Sequence, residues 1–170
     1  MRRLIFGVFL VALLLPLLAA QTSKSPYAGE EAREIKSLST EKVAMYLRGA
    51  GMGLAKAAEL NRYPGPMHVL ELSSELGLSD EQQMETEELF AETKAEARKL
   101  GEEIVELERR LDEQFAGGKM SEADLSRMVK TIGEKDAELR IVHLRAHIRQ
   151  RAILSHEQTN KYVQLRGYEQ

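Results

Sequence analysis

The chain has 170 residues with no cysteine and no tryptophan, enough for one packed domain and unable to form disulfides, a lipoprotein linkage or a thiolate metal site. Lys and Arg number 24 against 27 Asp and Glu, a net charge of −3 that leaves no footprint for nucleic acid.

Arg2 and Arg3 precede an apolar run from Leu4 to Leu18 that ends in Ala19-Ala20, the pattern of a secretory signal peptide over residues 1–20. The run is shorter than the ~20 apolar residues a spanning helix needs, so cleavage after Ala20 is expected, with no stable membrane insertion afterwards. Losing both arginines leaves a mature net charge of about −5. Thr22 to Gly29, small, polar and interrupted by Pro26, reads as a mobile leader.

Residues 30–77 form an N-terminal region of short helices. Glu30 to Ser37 and Thr40 to Arg48 are helical candidates, and Gly49 to Leu60 continues in strong helix formers after a glycine cluster. Asn61 to Pro66 is a turn; a short helix from Met67 to Leu76 follows and stops at Gly77, a good C-terminal cap.

From Asp80 to Ala116 apolar residues recur at spacings of three and four, through Leu89, Thr93, Ala97, Leu100, Ile104, Leu107, Leu111 and Phe115. This predicts one helix of roughly 50 Å, ended by Gly117-Gly118. Ser121 opens the next helix, with Ser121 to Asp124 as a capping box and Met120 and Leu125 as its hydrophobic staple. Its stripe is Leu125, Met128, Ile132, Leu139, Val142, Ala146 and Ile153. So short a connection makes the two helices an antiparallel hairpin. Glu71 to Glu113 holds fifteen acidic and five basic residues and Lys119 to Arg166 ten basic and six acidic, so an acidic arm lies beside a basic one, within a chain or across a dimer, and specifies register and partner rather than supplying stability. The expected fold is all-α: a long antiparallel helical hairpin over residues 78–170 with shorter flanking helices.

One pentapeptide pattern, Leu-Ser-x-Glu-Gln, occurs at Leu78 to Gln82 and again at Leu154 to Gln158. Ser79 and Ser155 stand at helix N-caps and Gln82 and Gln158 three residues later, which makes each copy a capping box. Leu78 and Leu154 precede the caps and can bury against the bundle. No reaction needs these residues. The repeated Leu-Ser/Thr-x-x-Gln, in an exported, helical, cysteine-free chain, resembles the LTxxQ-motif family of periplasmic proteins that includes Spy and CpxP, with Ser in place of Thr. The likeness covers roughly Leu70 to Tyr168. It implies a hairpin that dimerises into a curved cradle, a periplasmic location, and an ATP-independent chaperone or envelope-stress adaptor role, with unfolded envelope proteins or a sensor ectodomain as partners.

His143 and His147, one helical turn apart, are the sharpest chemical candidates, because two imidazoles on one face can reach one divalent metal such as Zn, Ni or Cu. Closely spaced His or Met pairs on helices are also what the resemblance implies for the family's metal sensors. At 100° per residue His143 lies about 40° and His147 about 80° from the centre of the apolar stripe, the rim of the helix, where ordinary surface histidines also sit. A third ligand would come from His68, Met67, Met52 or a Glu. Met45, Met52, Met67 and His68 form a looser group that suits Cu(I) or simple packing. His156 is expected to be solvated.

The stretch Gly49 to Ala55 is not a dinucleotide fingerprint, since Leu54 stands where the third glycine belongs, and no phosphate loop occurs. With no Cys nucleophile, no serine elbow and the glutamates on helix faces, the chain does not read as an enzyme, and the leading expectation requires no cofactor.

Overall fold

The computed structural model describes residues 24–168, so the signal-peptide reading of residues 1–20 and the first residues of the leader lie outside the described residues. All regular structure among the described residues is helical. A short 3-10 turn, Glu30–Ala32, is followed by α1 (Thr40–Leu47), α2 (Lys56–Glu59), α3 (Pro66–Glu71), α4 (Ser73–Leu76), α5 (Asp80–Ala116), α6 (Glu122–Ile153) and α7 (His156–Leu165). None of these helices is long and apolar enough to cross a membrane.

Helices α5 and α6 pack together as the expected hairpin, turning through Gly117 to Ser121. Gly118 takes the left-handed conformation (φ 61°) that lets the chain reverse. Two ion pairs tie the acidic arm to the basic one, Lys135 to Glu103 (3.0 Å) and Arg149 to Glu92 (2.7 Å). Ser121 accepts from the Asp124 amide, but the rest of the predicted box is absent. The Asp124 carboxylate, a methylene shorter than Glu, instead accepts from the Ser121 hydroxyl (2.6 Å). Phe115, predicted to end the buried stripe, is 57% exposed. The stripe outruns the segments that cover it.

The N-terminal region is not a separate appendage, because it lies along the hairpin groove, antiparallel to α5. Glu34, Lys36 and Ser37 bond to Arg109, Asp112 and Glu108 near the far end of α5. Tyr46 is buried, and its hydroxyl donates to Asp136 of α6 (3.1 Å). Ile35, Leu38 and Tyr46 join Ala97, Leu100, Ile104 and Val105 of α5 and Leu139 and Val142 of α6 in the first apolar core. At the other end Val69, Leu76, Leu154 and Tyr162 make a second core, with Leu72, Leu78 and Tyr168 against it. A buried polar contact lies between α5 and α6, where Gln150 donates to the Thr86 hydroxyl (3.1 Å).

Local structure departs from expectation where this packing intervenes. Glu30 to Ser37 is helical only over Glu30–Ala32, because Arg33 is extended (ψ 149°) and a turn from Ile35 to Leu38 sends both apolar side chains into the core. Gly49 to Leu60 is helical only over Lys56–Glu59. Gly49, Met52 and Gly53 have φ of 65°, 45° and 74°, values no right-handed helix tolerates. The Met67 to Leu76 helix begins at Pro66 and breaks at Leu72 (φ −108°, ψ 17°), which brings Val69 and Leu76 into one cluster. Gly77 (φ 64°) ends it as predicted.

Candidate functional site

The two pentapeptides meet. Ser79 and Ser155 each accept from the amide three residues on, and Gln82 and Gln158 each accept from their own N-cap amide, at 3.1 and 2.8 Å. Both are complete capping boxes. The two glutamine side chains also bond to each other, each Nε2 donating to the other's Oε1 at 2.9 Å. Each amide reaches one step further, Gln82 to the carbonyl of Ile153 (2.9 Å) and Gln158 to that of Gly77 (3.3 Å), in both cases two residues before the opposite serine. The arrangement is locally two-fold. The start of α5 and the start of α7 are therefore locked by one reciprocal amide pair, with Leu154 buried and Leu78 half-buried beneath it.

The second constellation is a cleft of about 370 Å³ between the Gly49 to Gly51 loop, the start of α3 and the hairpin. Met67 and His68 line it together with His143 and His147, a pair distant from them in sequence. Met45 and Met52 do not; Met52 packs against the first core, and His156 is exposed at the start of α7. His147 Nδ1 donates to the Tyr63 carbonyl (2.7 Å), and since a carbonyl only accepts, the neutral ring carries its proton there. His68 Nδ1 likewise meets the Glu71 carboxylate (2.8 Å). In its neutral form each ring so held presents an Nε2 lone pair, the tautomer that metal-ligating histidines adopt when a carbonyl or carboxylate holds the other nitrogen. Even so, among the described residues no three His, Cys, Asp or Glu side chains are grouped as a metal site requires.

His143 is not at the rim. It is only 8% exposed, because the N-terminal segment covers the face of α6 that the helical wheel left open. Its Nε2 is buried without a hydrogen-bond partner among the described residues. An unsatisfied group of this kind costs about 1–3 kcal/mol. Burial first, and the neighbouring His147 second, hold its pKa below the ordinary histidine value. The glycines shape the wall: a Cβ on Gly65 would stand 2.9 Å from His147 Cε1, and one on Gly49 2.8 Å from the Lys94 carbonyl oxygen.

Behind His147 lies a cluster that no sequence pattern indicated. The Glu59 carboxylate accepts from Tyr162 (2.6 Å) and Tyr168 (3.1 Å), with Arg166 at 3.5 Å and His147 at 3.6 Å. Burial, then the bond to Glu59, pushes the Tyr162 pKa up. Glu59 is half-buried and belongs to a four-residue helix too short for any periodicity to betray its partners. Tyr162 on α7 and Arg166 at its C-terminal cap stand four residues apart, a spacing that by itself does not point to Glu59.

Comparison of the chain with protein-family models, curated proteins and solved structures finds no match.

Proposed function

We propose that the mature chain is a periplasmic binding protein of the Spy and CpxP kind, an ATP-independent chaperone or envelope-stress adaptor that holds unfolded envelope proteins as a homodimer. The observation that carries this reading is the pairing of two Leu-Ser-x-Glu-Gln capping boxes through Gln82 and Gln158 at one end of a long hairpin. A motif with no reacting group, spent wholly on joining helix starts, belongs to a scaffold rather than a catalyst. The surface adds support. Ile141 and Ile148 on α6 are 50% and 61% exposed, with Arg140, Arg145 and Arg149 interspersed. An unfolded client offers both apolar side chains and charge to such a face.

The test is light scattering of an aggregation-prone unfolded protein with the metal-free mature chain at near-stoichiometric amounts. Suppression is expected, and Ile141→Ser with Ile148→Ser should weaken it. Unimpeded aggregation, or a chain that sediments as a monomer at micromolar concentration, would sink the proposal.

A second reading, a metal sensor or metal-binding protein, is favoured by one observation: His68, His143, His147 and Met67 line a single cleft, two of the rings with Nδ1 already pinned. Calorimetric titration with Zn, Ni and Cu should then show tight binding that disappears in His143→Ala with His147→Ala. Equal binding by that double variant would refute the assignment.

A further inference from the structure

The cleft beside His143 holds a combination that neither client binding nor imidazole metal chemistry uses. Arg48 and Lys94 both line it, and no carboxylate does. Arg48 precedes Gly49, whose backbone lies close to that of Lys94, so both cationic residues belong to the same part of the cleft lining. Neither cation forms an ion pair among the described residues. The walls are apolar, made by Phe90, Pro66, Met67 and Ala146, and the Lys94 ammonium lies 5.7 Å from the centre of the Phe90 ring. On the inner wall, no hydrogen bond among the described residues engages the His143 ring; its Nε2 is enclosed by protein, which leaves Nδ1 as the nitrogen a ligand can reach. The volume, about 370 Å³, falls within the range of small-molecule sites.

We propose that this cleft binds a small organic carboxylate, its aromatic or short aliphatic body against Phe90, Pro66, Met67 and Ala146 and its carboxylate between Arg48, Lys94 and the His143 ring. Two cations with no internal counter-ion favour an anion, and a neutral imidazole supplies one N–H donor to a carboxylate oxygen. The apolar walls select an anion with a body to bury, which inorganic phosphate lacks. Gly49 lies close to the Lys94 backbone and Gly65 close to the His147 ring, so a side chain at either position would crowd the cleft wall. This inference is independent of chaperone activity, and its failure would leave the light-scattering result untouched.

Calorimetric titration of the metal-free mature chain with 2-naphthoate and octanoate, with 2-naphthalenemethanol as neutral isostere and inorganic phosphate as bodiless anion, tests it. At least one carboxylate should bind with a Kd below 1 mM, on the order expected for a ligand of this size. The alcohol should bind at least tenfold more weakly and phosphate not measurably. Arg48→Gln with Lys94→Gln should lose at least tenfold in carboxylate affinity while its circular dichroism is unchanged, since both residues are exposed. The proposal is overturned if neither carboxylate binds at millimolar concentration, if the alcohol binds as tightly, if phosphate binds equally well, or if the double variant keeps full affinity.

Discussion

Gly101 and Gly133 both occupy helix interiors, where glycine is about 0.8–1.0 kcal/mol less favourable than alanine. Their surroundings reverse the expectation for one of them. A Cβ on Gly101 would lie 2.3 Å from the Tyr46 carbonyl oxygen, where the end of α1 crosses α5, while nothing stands within 4 Å of one on Gly133. Gly101→Ala should destabilise the fold by about 2 kcal/mol, overpacking outweighing the helix gain, and Gly133→Ala should stabilise it by up to about 1 kcal/mol. Denaturant midpoints of the two variants, measured side by side, check both signs. His143 gives a pH signature. The unfolded imidazole takes up a proton near pH 6.5 and the buried one only at lower pH, so the unfolded state binds more protons and stability falls as pH drops below about 6.5. In thermal melts from pH 7 to 5, His143→Leu should lose less stability than the parent chain. An identical slope would show that the ring is not desolvated. The sequence placed this residue on the right helix and the wrong surface, because a wheel counts only the residues of its own helix.

Among the elements, the repeated pentapeptide is where local chemistry and long-range contact coincide. Ser-x-x-Glu is as good a capping box as Ser-x-x-Gln, so capping alone predicts that Gln82→Glu is tolerated. The reciprocal pair predicts otherwise. Glutamate cannot donate to Ile153, and with Gln158→Glu as well, two carboxylates would face each other in place of two amides. Each single variant should lose about 1 kcal/mol and the double variant more than the sum, by about 1 kcal/mol or greater in a double-mutant cycle. Additive losses would mean that the two boxes act alone. The bounds of α5, by contrast, were fully legible as Asp80 to Ala116, because a long apolar period between a serine cap and a glycine pair leaves little to tertiary choice. The short helices were legible only in part. Four to eight residues carry too little propensity to resist the turns that Ile35, Leu38 and Leu72 adopt on packing.

At the scale of the whole molecule, the N-terminal segment is structural mass for the hairpin. Ile35 and Leu38 are buried against α5 and α6 although they precede the first regular α-helix. Ile35→Ala and Leu38→Ala should each destabilise the chain by about 2–5 kcal/mol, as large-to-small changes in a core do. Calorimetry should show one transition for the parent chain and for both variants. A lower-temperature transition confined to the N-terminal segment would show instead that the hairpin folds without it. By itself the sequence determined the all-helical class, the hairpin and the two capping boxes, since periodicity, caps and turn glycines act over a few residues. Only the tertiary structure decided that the glutamines join, that Met67, His68, His143 and His147 share a cleft with Arg48 and Lys94, and that a half-buried Glu59 gathers Tyr162, Tyr168 and His147 behind it. Those contacts bring together residues tens of positions apart, and helical periodicity carries no information about which covered face meets which segment.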